Sequence, residues 1–299
     1  MRTKLAQSIA SIAVLLGIAG CSGLTQVQHT ISKFDQGAHS VSTSEMAFLQ
    51  STQKADCNYQ FYTAAFEYAN NPARVPKTPL NLEAPCAPDV MPNQDIATRQ
   101  KVMNAVTLYA DQLQAIASTG TDKTLSANAQ KTATDLNKLA TSQGLLTSTG
   151  PIAADVESAI AGLARMVLAG QQLQDIKQAA SAQSGNLATV VNYLTKENTQ
   201  LAMNMNDKAA AFANMLNATI RQEKKNGDRH LLLDILAARR LLQNSNKTRS
   251  TQHLNASLDS LVSANDAIAK DGTGGVVGAV SDLVARAQAA QAMQAALNK

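Results

Sequence analysis

The chain is 299 residues long and carries 26 basic against 22 acidic residues, a formal net charge of +4. So small an excess argues against a nucleic-acid partner and against an electrostatic clamp on a membrane surface. Aromatic residues make up only 3% and tryptophan is absent, whereas a strand-rich core would want valine, isoleucine and aromatic side chains. The abundance of alanine, glutamine, asparagine and threonine favours long helices, whose small contact residues let their axes approach closely.

A positive segment with Arg2 and Lys4 comes first, followed by the apolar run Ile9-Ala10-Ser11-Ile12-Ala13-Val14-Leu15-Leu16-Gly17-Ile18. A spanning helix needs about 20 apolar residues, so this run is too short for a permanent anchor and reads as a secretory signal. Ala19 and Gly20 are small enough to thread a peptidase cleft, and Cys21 follows them. The sequence Ile18-Ala19-Gly20-Cys21 resembles the lipobox of bacterial lipoproteins. That resemblance implies cleavage before Cys21, a diacylglycerol on its thiol, and two or three acyl chains in all. At about 0.8 kcal/mol per buried methylene, several chains make an effectively permanent anchor. The alternative is an ordinary cleaved signal with a chance cysteine, but position, flanks and composition together favour the lipobox. In Gram-negative lipoproteins an aspartate after the cysteine usually marks inner-membrane retention, so Ser22 implies the outer membrane and a periplasm-facing domain.

Removing residues 1–20 leaves 279 residues, with 24 basic against 22 acidic, enough for one large or two small domains. No later segment has 18 consecutive apolar residues, so no second anchor is expected. Cys57 and Cys86 form an even pair, 29 residues apart, in an oxidising compartment. A disulfide between them would stabilise by roughly 3–4 kcal/mol on the chain-entropy model. A reactive thiol pair is the alternative, but no Cys-x-x-Cys spacing is present to lower a thiol pKa.

Residues 21–28 read as a short polar tether and residues 29–299 as a helical bundle domain. From residue 29 to residue 70 the pattern is helical, with Ile31, Phe34, Ala38 and Val41, then Phe61, Ala65 and Ala69, at steps of three and four. Seven of the ten aromatics lie between Phe34 and Tyr68. Phe61, Tyr62, Phe66 and Tyr68 are expected to anchor the core, with a ligand or partner surface as the sharper alternative. Six of the seven prolines (Pro72, Pro76, Pro79, Pro85, Pro88 and Pro92) then exclude a helix from the loop 71–92, which Cys86 pins. Long structured loops are often functional, which makes this loop a candidate partner contact.

A second helix is predicted over 93–118, its inner face marked by Ile96, Met103, Val106, Tyr109, Ala110, Leu113 and Ile116. Asp122 is a candidate N-cap for a weaker third helix over 123–143. Gly150-Pro151 punctuates, with Pro151 suited to the first turn of a fourth helix over 152–183. Gly185-Asn186 is an ambiguous break before a fifth helix over 187–225, whose near-heptad spacing is interrupted by polar residues such as Asn198. Helices over 228–243, 251–270 and 276–297 complete the chain, with a glycine-rich turn at 271–275.

Chemistry-bearing constellations are sparse. No two of His29, His39, His230 and His253 are four residues apart, and none reads as having a nearby acidic or cysteine partner at metal spacing, so no metal site is expected. The turn 271–275 lacks the lysine-serine of a phosphate loop, and no Gly-x-Ser-x-Gly elbow occurs. Asp155 and Glu157 are two apart and face different directions on a helix. Lys224, Lys225, Arg229, Arg239 and Arg240 form a modest basic cluster that could meet lipid phosphates, although cations at a helix end are the plainer account.

These observations predict an all-α fold: an elongated antiparallel helical bundle with a Pro-rich, disulfide-pinned loop near its anchored end. The expected function is that of a non-enzymatic structural or accessory envelope lipoprotein, lipidated at Cys21, engaging an envelope protein partner through long helical faces. No cofactor is expected. The alternative is a periplasmic small-molecule or peptide sensor with a pocket walled by the clustered aromatics. An envelope hydrolase would need convergent polar groups that the sequence does not place together.

Overall fold

The computed structural model describes residues 2–70, 86, 88–118, 127–138, 145–147, 150–168, 176–226, 247–271 and 275–297. Among these residues the chain is all-α, with seven helices: α1 (Arg2–Asn70), α2 (Asn93–Ala117), α3 (Ala127–Lys138), α4 (Ala154–Leu168), α5 (Ile176–Asn226), α6 (Lys247–Asp271) and α7 (Val276–Leu297). Between α3 and α4 lies a minimal antiparallel pairing of β1 (Leu146–Thr147) with β2 (Gly150–Pro151).

Contacts between side chains fix the helix directions. Ser32 faces Gln114, His39 faces Asp111 and Gln53 faces Asn93, so α2 runs antiparallel to α1. Glu45 meets Asn198 and Asp56 meets Lys208, so α5 runs parallel to α1. Ser184 meets Asp266 and Asn198 meets Asn255, which sets α6 antiparallel to α5.

The interior is layered along this bundle. The largest apolar layer joins Ile31, Phe34, Ala38 and Val41 of α1 to Met103, Val106, Tyr109 and Leu113 of α2, Leu187, Val190 and Leu194 of α5, and Leu258, Leu261 and Ile268 of α6. Tyr109 donates its buried hydroxyl to Asn265, whose amide donates to the Ala180 carbonyl at 3.3 Å, tying three helices together. A polar layer follows at Glu45, Arg99, Asn198 and Asn255. A small apolar layer comes next, made of Phe48, Leu49, Met91, Leu201 and Leu254. Beyond it the disulfide and Asp56 precede an aromatic layer of Tyr59, Phe66, Met205, Phe212 and Leu216. Each layer adds buried apolar area at about 25 cal/mol per Å².

Several sequence expectations are corrected. The segment 21–28, read as a polar tether, is helical and continuous with α1. Val27 packs against the main core, and the Thr30 hydroxyl donates to the Gln26 carbonyl at 2.8 Å, so burial one turn further on extends the helix backward. The predicted helix over 152–183 divides, because α4 ends at Leu168 and α5 starts at Ile176. The two pack side by side, with Gly162 against Asn186, which one unbroken helix cannot do. Gly185-Asn186 lies inside α5 and breaks nothing. Pro151 sits in β2 rather than in the first turn of α4. There the Glu157 carboxylate accepts the Leu145 amide at 2.6 Å, and Leu145 and Ile152 are buried in the core. The third predicted helix is present over Ala127–Lys138, and its predicted ends with Asp122, the predicted helix over 228–243 and most of the loop 71–92 lie outside the described residues.

Candidate functional site

Cys21 lies on α1, one uninterrupted helix from Arg2 to Asn70. Cys57 lies 36 residues further along the same helix, about 54 Å at 1.5 Å per residue. The disulfide is therefore remote from Cys21, not near it as the sequence reading supposed. Cys57 and Cys86 are bonded, with their Cα atoms 5.7 Å apart.

Asp56, beside Cys57, is fully buried and organises the chain that leaves the disulfide. One carboxylate oxygen accepts the backbone amides of Asp89 and Val90 at 2.7 and 2.9 Å. The other meets the Lys208 ammonium at 2.5 Å, and Lys208 also approaches Asp89 at 3.7 Å. A buried carboxylate needs such compensation, since charge taken from water without partners is strongly unfavourable. Pro92 then starts α2, its carbonyl accepting the amides of Asp95 and Ile96 at 3.0 and 3.2 Å.

The second polar knot joins four helices. Arg99 of α2 is 2% exposed, and Glu45 of α1 and Asn198 of α5 are fully buried. The Arg99 guanidinium donates to Glu197 at 2.6 Å and to Asn198 at 3.4 Å. The Asn198 amide donates to Glu45 at 2.8 Å and to Asn255 of α6 at 3.4 Å. Burial pushes the Glu45 carboxyl above its ordinary range, while Arg99 and the Asn198 amide pull it back. The same burial, with Glu197 nearby, holds the Tyr193 phenol up at about 12. The arrangement fixes register between helices, because any slide along the axis would strand a buried charge.

The third cluster is open to solvent. Asp35 and His39 stand one turn apart on α1, and Asp111 reaches across from α2. The His39 Nε2 lies 2.9 Å from Asp111 Oδ1 and 3.6 Å from Asp35 Oδ1. His39 is 52% exposed and Asp35 only 13%. Burial first, and then the Asp111 carboxylate, push the Asp35 carboxyl up to about 6, against the pull of His39. The hydrogen bond that its Nε2–H donates to the Asp111 carboxylate raises the His39 imidazole above its usual value. The sequence reading that no histidine has an acidic partner at ligand spacing thus fails at His39. Asp35-x-x-x-His39 was the available signal, since residues four apart share a helix face. Asp111 was not foreseeable from its neighbours in sequence.

Of the expected aromatic anchor, Tyr62 and Phe66 pack into the core around a ring from elsewhere, while the side chain of Tyr68 lies outside the described residues. Phe212 of α5 packs against Tyr59, Tyr62 and Phe66 at centroid distances of 6.0, 6.1 and 5.9 Å. The side chains of the basic cluster around Lys224 and Arg239 lie outside the described residues. No helix among the described residues is long and apolar enough to cross a membrane. No family model, curated protein or solved structure matches this chain.

Proposed function

We propose that the chain is a lipid-anchored, non-enzymatic accessory protein of the bacterial envelope, held at the periplasmic face of the outer membrane by an acylated Cys21. In this reading it engages a protein partner through its long helical faces. The observation that carries it is the continuity of α1, which bears the lipobox cysteine and then enters the bundle core from Val27 onward. A helix without a hinge would transmit the anchor's position to the bundle. It would carry the disulfide-pinned end about 54 Å along its axis from the lipid. Tyr62 and Phe66, two of the rings that a sensor pocket would need as walls, pack on Phe212, and Phe61 packs on Tyr62, which supports the scaffolding reading over ligand sensing.

Mass spectrometry of the mature protein tests the anchor: acyl chains on Cys21 are expected, and an unmodified N-terminal cysteine would overturn it. Cys21→Ala should shift the protein out of the membrane fraction, or leave an uncleaved precursor. In-cell photo-crosslinking from Met203, an apolar residue 54% exposed on α5, should trap a discrete envelope protein. A ladder that does not change between wild type and a cytosolic form lacking residues 1–20 would count against partner engagement.

A further inference from the structure

We propose that Asp35, His39 and Asp111 form a binding site for one divalent first-row transition ion, of the zinc type, bridging α1 and α2. This stands apart from the lipid anchor and from the scaffolding role. Asp35 Oδ1, His39 Nε2 and Asp111 Oδ1 all lie within 4.8 Å of one another. With metal–ligand bonds of about 2.1 Å, neighbouring ligand atoms in a coordination shell are roughly 3.0–3.4 Å apart. The observed separations of 2.9 and 3.6 Å from the imidazole nitrogen to the two carboxylates bracket that value. Small rotamer adjustments would suffice to close the shell.

The donor set selects the ion. One imidazole with two carboxylates suits zinc, manganese, iron, cobalt or nickel, whereas magnesium and calcium prefer all-oxygen shells. Three protein ligands leave at least one position for water, and the half-exposed His39 offers an entry path. The protein alone satisfies the site poorly. One Nε2 proton bonds Asp111, and Asp35 Oδ1, buried, accepts no hydrogen bond among the described residues. Two carboxylates whose oxygens lie within 4.8 Å of each other repel. A dication at the centre would satisfy all three atoms at once.

The test uses the mature disulfide-bonded protein, stripped with chelator and titrated with zinc chloride by calorimetry at pH 7.5. One equivalent should bind saturably, with a rise in melting temperature. Cobalt substitution should produce visible d–d absorption from a nitrogen- and oxygen-ligated centre. Asp35→Asn, which keeps shape and should fold, is expected to weaken zinc binding at least tenfold, as is His39→Gln. His253→Ala, an exposed histidine on α6, should leave binding unchanged. Circular dichroism verifies folding of each variant, and Asp111→Asn replaces any that fails. Absence of saturable binding to millimolar zinc, or binding that survives both Asp35→Asn and His39→Gln, overturns the proposal.

Discussion

Arg99→Met is the sharpest probe of how the bundle is held in register. The guanidinium is 2% exposed and lies 3.9 Å from the fully buried Glu45 carboxylate, while donating to Glu197 and Asn198. Methionine fills most of the same volume, so the loss is chiefly electrostatic. Removing one partner of a buried pair costs about 3–5 kcal/mol, because the remaining charge stays desolvated. For a chain of this size that is on the order of 10 °C in melting temperature. The penalty should depend on pH in a defined sense. Burial already raises the Glu45 carboxyl, and losing Arg99 removes the largest influence that lowers it. A carboxyl raised in the folded state contributes stability in its neutral form, fully present below its unfolded value of 4.5 and lost as pH rises through the folded value. The gap between variant and wild type should therefore be wide at pH 7.5 and narrow toward pH 4.5. Urea unfolding followed at 222 nm at both pH values measures it. A gap under about 1 kcal/mol at pH 7.5, or an equal gap at both, would refute the register argument. Glu45→Gln in the Arg99→Met background should recover part of the loss, since it removes the stranded charge.

Three further outcomes are expected. Phe212→Ala should destabilise by about 3–5 kcal/mol, because one ring is the common neighbour of Tyr59, Tyr62 and Phe66; a calorimetric scan reads it. Gly37→Ala should cost about 1–3 kcal/mol, since a Cβ there would lie 2.7 Å from Leu283 Cγ and push α7 off α1; the change in urea midpoint measures it. Reduction of Cys57–Cys86, or Cys57→Ser with Cys86→Ser, should cost roughly 3–4 kcal/mol. Amide exchange should then rise first at Asp89 and Val90, whose amides bond Asp56 beside the bridge.

Much of the architecture was legible before any coordinates. The steps of three and four at Ile31, Phe34, Ala38 and Val41, and at Met103, Val106, Tyr109 and Leu113, mark the faces that are buried. Such periodicity is a property of local sequence, because it follows from 3.6 residues per turn. With Cys21 set aside, cysteine parity left Cys57 and Cys86 as the pair, and the two are bonded. The resemblance to a lipobox, likewise, rests on contiguous residues. Where local signals misled, they did so in understandable ways: polar residues 22–28 continue a helix because packing of Val27 and Ile31 outweighs their composition, and the apolar face predicted through 152–183 belongs to two helices, α4 and α5, that pack side by side.

What the tertiary structure alone decided is which polar residues meet. Glu45 and Asn198 are 153 residues apart, Arg99 and Glu197 are 98, and Asp35 and His39 meet Asp111 only because α2 folds back antiparallel along α1. Helical periodicity says which way a side chain faces, not which helix stands opposite or at what axial offset. That offset is set by the sum of packing along tens of residues, with buried charges penalising every other choice. The helices and their apolar faces were thus written locally. The polar knots, and with them the candidate metal site, arise from register between segments.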